Sequence, residues 1–229
     1  MRLPGELSMK DRLTDELVAM RVAKELSPGD YCNLGIGIPL LCAAYIPEGV
    51  IIQSENGVLG YGPVYDATMI EQIDPDIADA GMRYLQHVPG MSFFDTLTSF
   101  VMIRAGRLVS VLGGLQVSEK GDLAVHSLGE DAGLPHIGGS MDLAWGAKRV
   151  IVAMTHNAKD GKAKVVRELS LPITCRKSVN LIVTDLAVIK VTNQGLVLIE
   201  YAPGWNSEEI LARTDAPMTV APDAHEIEF

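Results

Sequence analysis

Positive charge is scarce in this sequence: 19 lysines and arginines stand against 29 aspartates and glutamates, a formal net charge of −10 over 229 residues. A surface this acidic repels phosphate backbones and excludes nucleic acid as a main partner. Local basic residues or backbone amides can still hold a phosphorylated small molecule. Cysteine is also sparse. Cys32, Cys42 and Cys175 are odd in number, widely spaced and without a Cys-x-x-Cys pair. That pattern excludes a disulfide framework and implies reduced thiols in a cytoplasmic protein. His87, His126, His136, His156 and His225 lack metal-ligand spacing such as His-x-x-x-His, so no metal is expected. No apolar run approaches the ~20 residues of a membrane span. The first residues lack the apolar core of a signal peptide, so no membrane association is expected.

What is present is ordinary globular composition, 48% hydrophobic and 21% charged, enough to bury a full core. No repeat, low-complexity tract or linker interrupts the chain. One domain over residues 1–229 is expected, with 1–10 and 217–229 as peripheral tails. Residues 14–26 read as a helix, with Asp15 and Glu16 in its first turn and Arg21 and Lys24 toward its end, as the helix dipole favours. A short strand at 31–34, a short helix at 40–45 and a β-branched strand at 50–54 have the rhythm of a βαβ unit. The spacing predicts a second helix over 92–104, with Phe93, Leu97, Phe100 and Val101 on one side. Further strands are expected at 108–112, 149–154, 180–184, 187–191 and 195–201, and a closing helix at 207–213.

Chemistry concentrates at Ser54-Glu55-Asn56-Gly57. A carboxylate appears where an apolar strand ends, the edge at which open α/β sheets bind ligands. Asn56-Gly57 is a strong turn signal that would fix the direction of Glu55. An ionised carboxylate attacks a thioester without a general base; the alternative is a surface glutamate capping a loop. Gly35-Ile36-Gly37 follows a strand, but Leu40 stands where a dinucleotide fingerprint needs its third glycine. What remains is a glycine turn open to close ligand approach, or a plain strand-to-helix turn. Gly138-Gly139-Ser140 either presents backbone N–H groups to a developing oxyanion or is a tight turn. Asp66, Glu71, Asp74, Asp76 and Asp79 read as a solvated face or a mobile loop rather than a metal site, and His126 and His136 as structural or peripheral.

Taken in order, these segments resemble the β subunit of the class I coenzyme A transferases, the succinyl-CoA:3-oxoacid, acetate/acetoacetate and 3-oxoadipate CoA-transferases. The resemblance is carried by Asn33-Leu-Gly-Ile-Gly-Ile-Pro39, Gln53-Ser-Glu-Asn-Gly-Val-Leu-Gly-Tyr-Gly-Pro63, Ser92-Phe-Phe-Asp95, Ser99-Phe-Val-Met-Ile-Arg104, Gln116-Val-Ser118, Gly121-Asp-Leu-Ala124, Gly138-Gly-Ser-Met-Asp-Leu143 and Leu171-Pro-Ile-Thr174. It spans the chain from about Asp11 to Ala216.

The resemblance implies a three-layer α/β sandwich around a mostly parallel sheet, related to ribose-5-phosphate isomerase. It implies Glu55 as the nucleophile of a ping-pong CoA transfer through a glutamyl-CoA thioester, with Gly139 as oxyanion donor and Ser140 beside it. Asn33, Gly35, Gly37, Asn56, Gly57 and Gly138 complete the expected oxyanion and substrate-binding set. Coenzyme A is then a substrate rather than a permanent cofactor. The implied partners are an α subunit of similar fold, an acyl-CoA and a carboxylic acid. The sequence departs from the family at Met82, where Ala-Gly-Lys is usual and Arg83 is the one nearby substitute. It departs again at Val125-His126, where Asn-Trp is usual. An acyl-CoA hydrolase on the same scaffold and a non-enzymatic ligand-binding module are the competing readings.

Overall fold

A computed structural model describes residues 10–129 and 137–229. Short segments of four to six mostly apolar residues, too short for helices, form the centre of a ten-stranded sheet. Five of them lie parallel: β2 (Ile51–Ser54), β1 (Tyr31–Leu34), β5 (Leu108–Leu112), β8 (Arg149–Met154) and β10 (Leu181–Thr184), in that spatial order. Beyond β2 the sheet continues antiparallel through β3 (Val58–Leu59) and β4 (Ser92–Phe93). Beyond β10 it adds β11 (Ala187–Thr192) and β12 (Gly195–Tyr201), both antiparallel, and then β13 (Met218–Glu226), which pairs parallel with β12. A second, three-stranded sheet holds β6 (Gln116–Ser118), β7 (Leu123–Ala124) and β9 (Val165–Val166).

Strand alternation divides the apolar side chains between two cores. On one face Val109, Val111, Ile151 and Val183 pack with Leu17, Val18 and Val22 of α1 (Asp15–Ala23). On the other, Leu108, Leu112, Val150, Val152 and Ile182 pack with Ile103 of α3 (Thr96–Arg104) and with Leu143 and Ala144 of α4 (Ser140–Gly146). Central strands covered on both faces give the three-layer α/β sandwich that the resemblance implied.

Element boundaries shift where side chains cap. The helix expected over 14–26 is α1, with the Thr14 hydroxyl accepting from the Leu17 N–H. The helix expected over 92–104 starts only at Thr96, because Asp95 accepts from the Thr98 N–H at 2.8 Å and caps it. Ser92 and Phe93 become β4 instead. The apolar side of that helix also faces the other way from a buried stripe: Leu97 is 81% and Val101 67% exposed, while Ser99 and Ile103 are buried. The loop expected after Glu55 contains β3, and the tail expected at 217–229 is the edge strand β13. The predicted short helix divides into α2 (Ile38–Leu41) and a 3-10 turn at Cys42–Ala44.

Two buried polar clusters cross the sheet. Arg21 donates from Nε and Nη2 to both carboxylate oxygens of Glu200 at 2.6 and 2.7 Å, and from Nη1 to Glu25 at 2.8 Å. Glu25 is bonded in turn by Arg149. The second cluster centres on His156, fully buried between the hydroxyls of Thr184 and Thr214, each at 3.0 Å, with its N–H bonded to Asp185. Burial lowers the His156 pKa to about 4; nearby Asp185 opposes the shift, while Arg12 and Arg213 add to it. The unfolded chain therefore takes up this proton near pH 6.5, before the native state does. Stability from this group is complete above that pH and declines by about 3 kcal/mol as pH falls toward 4. Urea titrations at pH 7.5, 6 and 5 measure the decline, and His156→Gln is expected to flatten it.

Candidate active site

The end of β2 is fixed by bonds from three directions. The Ser54 hydroxyl accepts from the Ala80 N–H at 2.9 Å. The Gly57 N–H closes a turn onto the Ser54 carbonyl at 3.0 Å, and the Phe94 N–H bonds the Gly57 carbonyl at 3.0 Å. Gly57 has φ +112°, and a Cβ there would lie 1.9 Å from the Phe94 carbonyl oxygen, so only glycine fits. Asn56 donates from its side chain to the Ala78 carbonyl at 2.7 Å. This turn leaves Glu55 half-buried and directed into a cavity of about 290 Å³.

Of the residues predicted for the site, Glu55, Asn33, Gly35, Gly138, Gly139 and Ser140 line this cavity. Gly37, Asn56 and Gly57 do not. Gly37, at φ +89°, opens α2, and Asn56 and Gly57 hold the turn. Asn56 and Gly57 thereby fix the turn that directs Glu55 into the cavity. Gly35 lets the end of β1 approach β5, with its N–H on the Val111 carbonyl at 2.8 Å. Asn33 lines the cavity, but its amide donates to the Gln53 carbonyl at 3.1 Å and to Gln53 Oε1 at 2.6 Å. Gln53 donates onward to Ser99 at 2.7 Å and to the Ser54 carbonyl at 3.0 Å. With both amide hydrogens committed, Asn33 braces β2 rather than offering a donor to an oxyanion.

Gly139 makes the closest approach. Its backbone N–H lies close enough to the Glu55 carboxylate to draw that group's pKa down. A Cβ at Gly139 would lie 2.2 Å from Glu55 Oε2 and 2.9 Å from Cδ. Gly138, at φ +47°, faces Oε1 from beyond contact. Burial pushes the Glu55 pKa above the ordinary glutamate value; the Gly139 N–H works against that rise and the charge of Asp142 adds to it. The result is a carboxylate that is more basic than usual and packed against the Gly139 backbone, an arrangement suited to nucleophilic attack on an electrophilic carbonyl carbon. Gly139→Ala is expected to displace the carboxylate and lower kcat by about 10²–10³-fold with little change in Tm, measured by steady-state kinetics beside thermal melting.

Other positions fall outside the cavity. Met82 is 78% exposed at φ +62°. Arg83 does not take the place of a pocket lysine, because it pairs with buried Asp79 at 2.7 Å and donates to the Leu40 carbonyl. Asp79 and Tyr61 line the cavity, a role the sequence reading missed. The remaining acidic stretch is a solvated face as expected, with Asp66 and Asp74 closing surface turns at Thr68 and Asp76. His126 is held against the Thr174 hydroxyl at 2.7 Å and is structural. His136 lies outside the described residues.

A carboxylate at the carboxyl edge of a parallel sheet, with a glycine turn on each side, stands at the edge where open α/β folds bind their ligands. The protein-family comparison matches residues 16–213 to the coenzyme A transferase family, and the chain belongs to that family and is a CoA-transferase. It is 44% identical over 209 residues to the beta subunit of acetate CoA-transferase from Escherichia coli K12, covering 90% of this chain and 94% of that one. It is 41% identical over 210 residues to the corresponding subunit of 3-oxoadipate CoA-transferase from Acinetobacter baylyi, covering 90% and 95% respectively. Among solved structures, an acyl-CoA transferase from Escherichia coli O157:H7, crystallised as a thioester complex with CoA, superposes with a TM-score of 0.73 at 22% identity. That match covers 98% of this chain but 45% of the other, so this chain spans less than half of that enzyme. Family membership sets aside the non-enzymatic ligand-binding module.

Proposed function

We propose that this chain moves CoA from an acyl-CoA to a carboxylic acid by a ping-pong mechanism in which Glu55 becomes a glutamyl-CoA thioester. The observation that carries this reading is the Glu55 carboxylate, half-buried in the cavity and packed against the Gly139 backbone. A Glu55 oxygen attacks the thioester carbonyl carbon, the C–S bond breaks, and CoA thiolate leaves behind an acyl-glutamyl anhydride. The thiolate then attacks Glu55 Cδ and expels the first acid as its carboxylate, which leaves CoA on Glu55. An incoming carboxylate runs the two steps in reverse. No proton need be moved, in keeping with the absence of a lysine, arginine or histidine among the described residues lining the cavity. Charge builds on the oxygen at Glu55 Cδ in the second step, where the Gly139 N–H can stabilise it.

In this reading the chain works with an α subunit. The curated relatives are named as subunits, and the longer solved chain extends over more than twice the span that this one matches. Beside the cavity, Leu97 and Val101 of α3 and Met141 and Trp145 of α4 leave an exposed apolar face, with Trp145 72% accessible. Contiguous apolar surface of this kind marks a protein interface. A cytoplasmic location belongs to the same proposal. It is supported by three free cysteines, and no helix among the described residues is long and apolar enough to cross a membrane.

The test is covalent trapping. The chain, assembled with its companion subunit, is incubated with an acyl-CoA, trapped with borohydride or hydroxylamine, and digested. Modification is expected within residues 53–57, and modification elsewhere refutes the assignment. Steady release of free CoA thiol without an acceptor acid would favour the hydrolase reading.

A further inference from the structure

Helix α3 and the residues leading into it reach the Glu55 turn at three places. Phe94, just ahead of the helix, donates its N–H to the Gly57 carbonyl at 3.0 Å. Phe100 packs against the facing glycine loop, with its Cζ 3.2 Å from where a Gly139 Cβ would stand. Between them lies Ser99, fully buried, whose hydroxyl accepts from the Gln53 side-chain amide at 2.7 Å.

Gln53 is fully buried as well and stands in β2 two residues before Glu55. Its amide also donates to the Ser54 carbonyl at 3.0 Å, and its Oε1 accepts from Asn33 at 2.6 Å. The side chain is thus engaged on both sides, by Asn33 of β1 and by Ser99 of α3. A buried amide is costly without partners, so this set of bonds holds Gln53 in one orientation. The Ser54 carbonyl receives a second donor, the Gly57 N–H at 3.0 Å. That carbonyl belongs to the peptide unit that ends at the Glu55 nitrogen. A peptide unit is planar, so two bonds on its oxygen fix the plane from which the Glu55 side chain departs. Ser99 does not line the cavity and has no exposed surface, so its hydroxyl acts only through Gln53.

We propose that Ser99 is a positioning residue for the transfer reaction: its hydroxyl holds the Gln53 amide on the Ser54 carbonyl, and that contact aims Glu55. The inference rests on the reading of Glu55 as nucleophile. It also gives α3 two tasks, since Leu97 and Val101 face outward while Ser99 faces the sheet. The helix that presents an apolar surface to solvent is the one that steadies the reacting carboxylate.

The test uses the chain assembled with its companion subunit and reads three quantities: kcat, KM for an acyl-CoA, and the CoA bound to the peptide spanning residues 53–57 in a single turnover. Ser99→Ala is expected to slow thioester formation and lower kcat by about 10–100-fold, as a small misplacement of a reacting group does, with KM within about twofold. Gln53→Met, which keeps the volume and removes the bonds, is expected to lose a similar factor. Because Ser99 acts through Gln53, the double variant is expected to lose no more than Gln53→Met alone. An unchanged kcat in folded Ser99→Ala overturns the inference, and so do losses that multiply in the double variant. Ser99→Cys, closer in volume and a weaker acceptor, takes the place of the alanine variant should that fold poorly. Absence of CoA on residues 53–57 of the unaltered enzyme would instead overturn the proposed function, which keeps the two failures apart.

Discussion

Replacing Glu55 with glutamine is expected to lower CoA transfer by roughly 10⁴-fold or more, about 5.5 kcal/mol of transition-state stabilisation. The substitution keeps the shape beside Gly139 but removes the proposed nucleophile. It also separates chemistry from folding. Burial, the largest influence on Glu55, raises its pKa in the folded protein. The native state thus favours the protonated form, and ionised Glu55 opposes folding more as pH rises through its raised pKa. Glutamine removes that opposition. Tm at neutral pH is therefore expected to hold or rise while activity disappears, a pairing that melting curves and a transfer assay check together. The same upward shift is expected to move the acid limb of thioester formation toward higher pH. Glu55→Asp retains a charge but withdraws it by about one bond length, and is expected to cost about 10²-fold in kcat.

The second large effect lies far from the chemistry. Glu200→Ala is expected to destabilise the fold by about 3–5 kcal/mol, read as a fall in the urea midpoint. The Arg21 side chain is only 7% exposed, and both of its contacts with Glu200 would be lost together. Glu25 alone would remain beside Arg21, and it is shared with Arg149. The double substitution Arg21→Met with Glu200→Leu is expected to cost much less, because no buried charge is then left unpaired. A double-mutant cycle measures the difference.

Much of the fold was legible in the chain. The strands at 31–34, 108–112 and 149–154 match their predicted bounds, since each is a short, mostly apolar segment bracketed by turn residues or charges. Asp95 was the harder case, because Phe93 before it and Leu97, Phe100 and Val101 after it read as one helical side and concealed a cap that splits strand from helix. The outward turn of Leu97 and Val101 was invisible for a different reason. Periodicity marks an apolar side but does not say whether the chain's own sheet or another surface covers it.

The site was legible at Glu55, Gly138 and Gly139 because strand end and paired glycines are local signals. Asp79 and Tyr61 were not, since only tertiary packing brings them to the end of β2. The polar Gln53 inside an otherwise aliphatic strand was a readable sign of the buried network it joins with Asn33 and Ser99.

The far border of the large sheet carries a practical consequence. There β12 is shielded on its outer side by β13 alone, supplied by the last stretch of chain. Trimming the protein at position 216 would leave seven residues of β12 with an open row of amide donors and acceptors, the template from which strand addition and fibre growth begin. Solubility of the purified material thus depends on that final strand, and a proteolytic nick before it is expected to show as turbidity ahead of any loss of the Glu55 chemistry.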